Sequence, residues 1–252
     1  MTIIESIILG IIQGLTEFLP VSSSGHLVLF QKVLGINQPG NYFEVLVHLG
    51  TLASVIFVFY DDLKSIFFSL HMKETQTFIL YIVIGTIPAI IIGFGFKDIF
   101  HYLFENVKAV GFALLFTGII LISSSKFKYN NKNLNWQKSI MIGFVQALAI
   151  IPGISRSGIT ICMALFLGLS PKKAARLSFL LAIPVISGAG LLTALNVDEG
   201  SQLTFSVAIS GFISSFVIGI IALKWLLSWL EKGKFYYFSY YCFFIGLLTI
   251  LI

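Results

Sequence analysis

The chain has 252 residues, of which 57% are hydrophobic and only 11% charged, against a usual charged share of about a quarter. That balance excludes an ordinary soluble domain and identifies an integral membrane protein. The formal net charge of +5 does not point to nucleic acid, because the Lys and Arg residues lie between apolar segments and form no patch with interleaved aromatics; the excess reads as membrane topology.

In chain order, the opening "MTIIESIILG" carries Glu5 and no Lys or Arg, so it lacks the basic start of a signal peptide and the N-terminus is expected to be retained. Apolar segments are predicted near 3–17 and 24–35, then 43–60, 78–96 and 108–125. After the polar run "SKFKYNNKNLNWQK", five more follow near 139–151, 157–169, 174–195, 205–227 and 236–252. The first two segments of each half are arms of about 12 to 15 residues, reaching about 18 to 22 Å, short of the roughly 30 Å hydrocarbon core. Such arms fit a hairpin that enters and leaves on one face, since non-helical backbone at membrane depth is tolerated only where protein or a polar cavity shields it.

The predicted fold is therefore an all-α polytopic membrane protein with an inverted-topology repeat, each half a re-entrant helix hairpin plus three transmembrane helices. Residues 1–125 form the first repeat (hairpin 3–35; helices 43–60, 78–96 and 108–125), 126–138 a cytoplasmic linker, and 139–252 the second (hairpin 139–169; helices 174–195, 205–227 and 236–252). Three crossings per half is an odd number, which inverts the second half. With the linker in the cytoplasm, Lys64, Lys73, Lys126, Lys128, Lys132, Lys138, Lys172, Lys173, Arg176, Lys224, Lys232 and Lys234 fall inside, and Lys32, Lys97 and Lys108 outside, as the positive-inside rule requires. Asp198 and Glu199 mark an outer loop. Sliding the chain by 133 residues pairs Gly10 with Gly143, Gln13 with Gln146, Leu15 with Leu148, Ser22 with Ser155, Ser24 with Ser157 and Gly25 with Gly158; the match does not continue downstream. Inverted repeats with paired broken helices place substrate sites where their tips meet.

The tips read "GLTEFLPVSSSGH" (14–26) and "LAIIPGISRSGIT" (148–160). Each has a proline that ends the first arm and a Ser-x-Ser-Gly that opens the second. A serine-capped helix start explains Ser22 and Ser24 as well as ligand binding does. Arg156 changes the balance, because a charge at membrane depth costs on the order of 3 kcal/mol and needs a partner or a use. An arginine flanked by Ser155 and Ser157 at a helix N-terminus, with Thr160 one turn on, offers a guanidinium, hydroxyls and free N–H groups at one point, the parts of a phosphate site. An ion pair from Arg156 to Glu17 is the structural alternative, and the two are compatible. Gln13 and Glu17 share one helix face, as do Glu44 and His48, which could face the same cavity; a lone histidine such as His48 more often packs. His26, one glycine after the serines, is the better functional histidine. His71 and His101 read as surface residues, Pro88 and Pro184 as helix kinks, and Cys162 and Cys242, with no metal-type spacing, as buried packing residues.

"QGLTEFLPVSSSGH" (13–26) together with "PGISRSGIT" (152–160) resembles bacterial undecaprenyl-diphosphate phosphatases of the BacA type, the bacitracin-resistance family, and "FEVLVHLGTLASV" (43–55) and "SFLLAIPVISGA" (178–189) extend the likeness along the chain. The resemblance implies hydrolysis of undecaprenyl diphosphate to the monophosphate and phosphate at the outer face of the plasma membrane. That reaction recycles the lipid carrier for peptidoglycan synthesis, with bacitracin competing for the substrate. It implies catalytic roles for Glu17, Ser23, His26 and Arg156, substrate contacts from Gln13, Ser22, Ser24, Gly25, Ser155, Ser157 and Thr160, and a divalent cation, Mg or Ca, held in part by Glu17. Where this chain has Gln13 the family often has glutamate, which weakens any scheme needing two carboxylates from that helix. The nucleophile is open among Ser23, His26 and an activated water. A flippase for polyprenyl phosphate or another anion transporter is the competing function, and oligomeric state, a homodimer included, is left open.

Overall fold

The computed structural model describes residues 1–36, 42–96, 103, 106–126, 131–195 and 203–251, the side chains of 192–195 excepted. The predicted positions Lys97, Lys128, His101, Asp198 and Glu199 lie outside the described residues. Eleven α-helices are formed among the described residues: α1 Ile3–Phe18, α2 Ser23–Leu34, α3 Tyr42–Val58, α4 Tyr60–Phe68, α5 Lys73–Gly95, α6 Val107–Ser123, α7 Trp136–Leu148, α8 Arg156–Phe166, α9 Pro171–Leu195, α10 Phe205–Glu231 and α11 Phe238–Leu251. Four spans are long and apolar enough to cross a membrane, Lys73–Gly95, Val107–Lys126, Pro171–Leu191 and Phe205–Glu231, and a fifth if α3 and α4, bent by 68° at Phe59, count as one. Phe235–Leu251 is apolar but shorter. The chain thus forms an all-helical polytopic membrane protein. Helix α4 is a departure from the predicted segment at 43–60, which ends where α3 does; Asp61, Asp62 and Lys64 make the next two turns polar.

Helix ends follow the local chemistry. Thr2 and Glu5 make a reciprocal capping box on α1. Ser22, Asn106, Asn135 and Ser155 each accept a hydrogen bond from a backbone N–H of the first turn of α2, α6, α7 and α8. Helices α5 and α9 run through Pro88 and Pro184.

Contact between helices is made by small residues, as expected where lipid removes the hydrophobic drive between apolar faces. Helix α1 lies along α10 in parallel: Ser6 Oγ donates to the Val207 carbonyl, Gly10 meets Gly211 and Ser214, and Gly14 meets Ser215 and Gly219. Helix α7 lies along α5 likewise, with Ser139 Oγ donating to the Tyr81 carbonyl and Gly143 pressed on the backbone of Gly85. Helices α6 and α11 run antiparallel, Gly111 facing Gly246 and Ile250, and Gly118 facing Phe243. Helices α3 and α9 are also antiparallel: Val45 and Leu49 touch Gly190, while Phe59 lies on Phe179 with ring centroids 5.9 Å apart. The main core gathers Phe18, Val55, Phe179, Leu181, Leu223 and Leu226 around the two hairpins.

At one end of the bundle Arg176 Nε bonds Asp62 Oδ2 at 2.7 Å and its guanidinium lies 4.6 Å from the centre of the Phe78 ring. Nearby, Lys173 Nζ bonds Asn133 Oδ1 at 3.2 Å.

A Cβ on Gly143 would stand 2.5 Å from the Gly85 carbonyl oxygen, which is backbone and has nowhere to go. We expect Gly143→Val to force α7 off α5 and cost about 1–3 kcal/mol, read as a lowered thermal midpoint in detergent. Gly188→Ala, where a Cβ meets nothing within 4 Å, should unfold at or above the wild-type temperature.

Candidate active site

The two hairpin turns meet. Chain reversal at Pro20 and at Pro152–Gly153 brings the starts of α2 and α8 together, and Ser22 is the fastener. Its Oγ accepts from its own cap target Gly25 N at 3.4 Å and from Gly153 N of the other turn at 3.0 Å. Ser22 holds φ 68° and ψ 100° to do so, a conformation that costs a non-glycine residue about 1–3 kcal/mol and that the surroundings must enforce. Gly153, at φ 98°, has no room for a Cβ: the Val110 carbonyl oxygen and Ala113 Cβ would lie 2.5 and 2.7 Å away. The second turn is pinned to α6 by Thr117, whose Oγ1 donates to the Gly153 carbonyl at 2.9 Å and accepts from Ser155 N at 3.2 Å. The first turn is pinned to α11 by Cys242 Sγ, 3.5 Å from the Pro20 carbonyl oxygen.

Across this junction Arg156 Nη2 bonds Glu17 Oε1 at 2.5 Å. Both groups are largely shielded, with 15% and 7% of their side-chain surface exposed. The second carboxylate oxygen, Oε2, accepts from Ser23 Oγ at 2.6 Å and from Gln13 Nε2 at 3.1 Å, and lies 3.6 Å from His48 Nε2. Arg156 Nη1 is buried and has no hydrogen-bond partner. A buried N–H without an acceptor costs free energy.

The pair opens into a cavity of about 340 Å³ lined by both polar and apolar side chains. Glu17, Ser22, Ser23, Ser24, Glu44, His48, Ser155 and Arg156 make the polar lining; Val45, Ile150, Ile154, Val185, Ile186 and Ala189 make most of the apolar one. Of the predicted site residues, Glu17, Ser22, Ser23, Ser24, Ser155 and Arg156 are brought together on it. The others do not line this cavity. Gln13 is fully buried and braces Glu17 and Thr51; Gly25 packs on Gly153; Ser157 faces Ser155; Thr160 donates to the Arg156 carbonyl and meets Ser178. His26 does not line it either. Its Nδ1 lies 2.8 Å from the Ser22 carbonyl, which can only accept, so that nitrogen carries a proton, and its Nε2 is engaged by the Tyr241 hydroxyl at 2.8 Å. Both ring nitrogens are thus engaged by protein groups.

Glu44 and His48, whose spacing puts them on one helix face that could look onto the same cavity, both line it. His48 Nδ1 is held by the Glu44 carbonyl at 2.7 Å, which aims Nε2 at Glu17. The divalent cation finds no holder among these groups. Both Glu17 oxygens are engaged by other side chains, Oε1 by a guanidinium, and among the described residues no group of three His, Cys, Asp or Glu side chains is placed to bind a metal.

A family profile described as "Bacitracin resistance protein BacA" matches residues 6–248. Among curated proteins, the chain is 47% identical to an undecaprenyl-diphosphatase of Halothermothrix orenii, covering 100% of this chain and 98% of that one. It is 42% identical to an undecaprenyl-diphosphatase of Carboxydothermus hydrogenoformans, covering 98% and 96%. A third, from Alkaliphilus metalliredigens, is 41% identical over 100% of this chain and 98% of its own.

Removing one member of a shielded ion pair leaves the other charge uncompensated. Glu17→Gln and Arg156→Gln are each expected to destabilise by about 3 kcal/mol, with the double substitution costing less than their sum. Thermal unfolding of all four proteins in detergent measures the coupling; strictly additive losses would contradict the pairing.

Proposed function

The chain belongs to the bacitracin resistance protein BacA family, and from that premise we propose that it is an integral membrane phosphatase hydrolysing undecaprenyl diphosphate to undecaprenyl phosphate and phosphate. It thereby recycles the lipid carrier for peptidoglycan synthesis and gives resistance to bacitracin, which competes for the same lipid diphosphate. One observation carries the reading: a serine and a guanidinium share one carboxylate at a cavity lined by both polar and apolar side chains. An amphiphile with an anionic head fits such a cavity; a small hydrophilic anion would leave the apolar lining wet.

Phosphoryl transfer is catalysed by positioning and charge neutralisation. Arg156 holds the terminal phosphate through Nη1, assisted by the first-turn N–H groups of α2 and α8. Ser23 is the nucleophile. As its Oγ bonds to the terminal phosphorus its proton passes to Glu17 Oε2, 2.6 Å away, and the bridging P–O bond breaks with its electron pair leaving on undecaprenyl phosphate. Water then attacks the phosphoserine, phosphate departs, and Oγ regains a proton. His26 and Tyr241 set the start of α2, and Gln13 orients the carboxylate.

We further propose that the two halves are an inverted repeat, and contacts on both sides of the molecule support this. Ser6 on Val207 and Ser139 on Tyr81 are related by shifts of 133 (139 − 6) and 126 (207 − 81), and so are Gly10 on Gly211 and Gly143 on Gly85. The serine caps repeat as well, with Ser22 and Ser24 3.3 Å apart, as are Ser155 and Ser157. The repeat mates α3 and α9, and α6 and α11, run antiparallel, as mates related by an axis in the membrane plane must. With Lys132, Lys172, Lys173 and Arg176 on the cytoplasmic side, the cavity, at the opposite ends of α3 and α9, faces outward.

Purified protein in detergent, with no second compartment, should release phosphate from undecaprenyl diphosphate; a flippase would not. Arg156→Lys should lose activity by about 100-fold or more, because a point charge cannot make the forked contact. Ser23→Ala should abolish the phosphoserine that acid quench traps in the wild type. Near-normal turnover in Arg156→Lys would contradict the assignment.

A further inference from the structure

The polar lining holds a titratable group that the steps above do not use. We propose that His48 is the proton relay of the site, taking from Glu17 the proton that Glu17 receives from Ser23 and passing it to water in the cavity. The inference rests on the phosphatase reading and adds the route by which the proton leaves.

Three observations carry it. First, Glu17 has little contact with water, 7% of its side chain being exposed against 28% for His48, so a proton delivered to Oε2 needs an outlet. Second, His48 Nε2 lies 3.6 Å from that same Oε2, the oxygen that accepts from Ser23. The span is long for a hydrogen bond and closes with a small ring shift or one bridging water. Third, the tautomer is fixed by the fold. Nδ1 faces the Glu44 carbonyl at 2.7 Å, which can only accept, so Nδ1 bears a hydrogen and Nε2 is the nitrogen that exchanges a proton with Glu17 and the cavity.

The alternatives on the wall are poorer. Arg156 cannot release a proton. His26 has both ring nitrogens engaged, by Ser22 and Tyr241. Charged and titratable groups around the His48 ring are Glu17 from α1, Arg156 from α8 across that carboxylate, and Glu44 from its own helix; α9 contributes Val185, Ile186, Ala189 and Gly190 to the same cavity. Imidazolium formed next to Glu17 is stabilised by the carboxylate it has just deprotonated, which keeps both transfers short. The balance closes over one turnover: Ser23 gives a proton to Glu17, Glu17 to His48 Nε2, and His48 to bulk water, while the attacking water supplies the proton that restores Ser23.

The test is chemical rescue. Phosphate release from undecaprenyl diphosphate is measured in detergent for wild type, His48→Ala and His48→Gln, with and without added imidazole. The relay predicts that both variants lose about 100-fold in turnover with KM little changed, and that imidazole restores about tenfold or more to His48→Ala, where it fits the vacated space. A merely structural histidine would give a lowered thermal midpoint and no rescue. Wild-type-like turnover in either variant, or a loss that imidazole leaves untouched in a His48→Ala protein of normal thermal midpoint, overturns the relay. No phosphate release by the wild type would instead overturn the phosphatase reading.

Discussion

A carboxylate and a guanidinium brought within 2.5 Å of each other at the junction of two helix turns set the terms for the rest of this molecule. Either charge alone at membrane depth would cost on the order of 3 kcal/mol, and each comes from a different half of the chain. Bringing them together requires both turns to be held to a fraction of an ångström. The scaffold does this with backbone contacts rather than bulk. Ser22 accepts a left-handed conformation to bridge to Gly153, and Thr117 and Cys242 anchor the turns from α6 and α11. Glycines on α1 and α7 let those helices lie directly on the backbones of α10 and α5.

The scaffold is close to symmetric, and the chemistry on it is not. Under the 133-residue shift the counterpart of Glu17 is Ile150, that of Ser23 is Arg156, and that of His26 is Ile159. Residues that cap and pack are kept in both halves; residues that carry charge occur once. In the proposed reaction one turn contributes the proton acceptor and the nucleophile, the other the cation that holds the anionic head. In that reaction, placing the two charges on separate turns lets a phosphate enter between them and exchange with the carboxylate for Arg156. The apolar lining from Val185, Ile186 and Ala189 of α9 leaves the isoprenoid tail in a medium like the one it came from.

Much of this was legible in residues. The short arms, the proline-serine turns and the repeat from Gly10 to Gly25 mark both hairpins, and Arg156 declares itself because an unpaired charge in an apolar segment demands a partner. The downstream half of the proposed repeat was not legible, because it pairs the crossing helices α5 and α10 at 126 residues rather than 133, and a gapless slide cannot follow two offsets. Nor could spacing separate wall from support. Gln13, Gly25, Ser157 and Thr160 sit in the same short motifs as Glu17 and Arg156, yet helix rotation turns them into the packed side. His26 and His48 exchange places for the same reason: the motif histidine is satisfied by Ser22 and Tyr241, whereas the isolated one, a full helix turn after Glu44, looks onto the carboxylate. The α4 turn at Phe59 was hidden because its aromatic residues continue the apolar run.

The most direct measurement of this account is an experimental structure with a non-hydrolysable undecaprenyl bisphosphonate, its bridging oxygen replaced by methylene. The terminal phosphonate should lie against the Arg156 guanidinium with Ser23 Oγ in line with the P–C bond and the tail along α9. A head group bound away from Arg156, or a Ser23 hydroxyl facing the side of that bond, would contradict it.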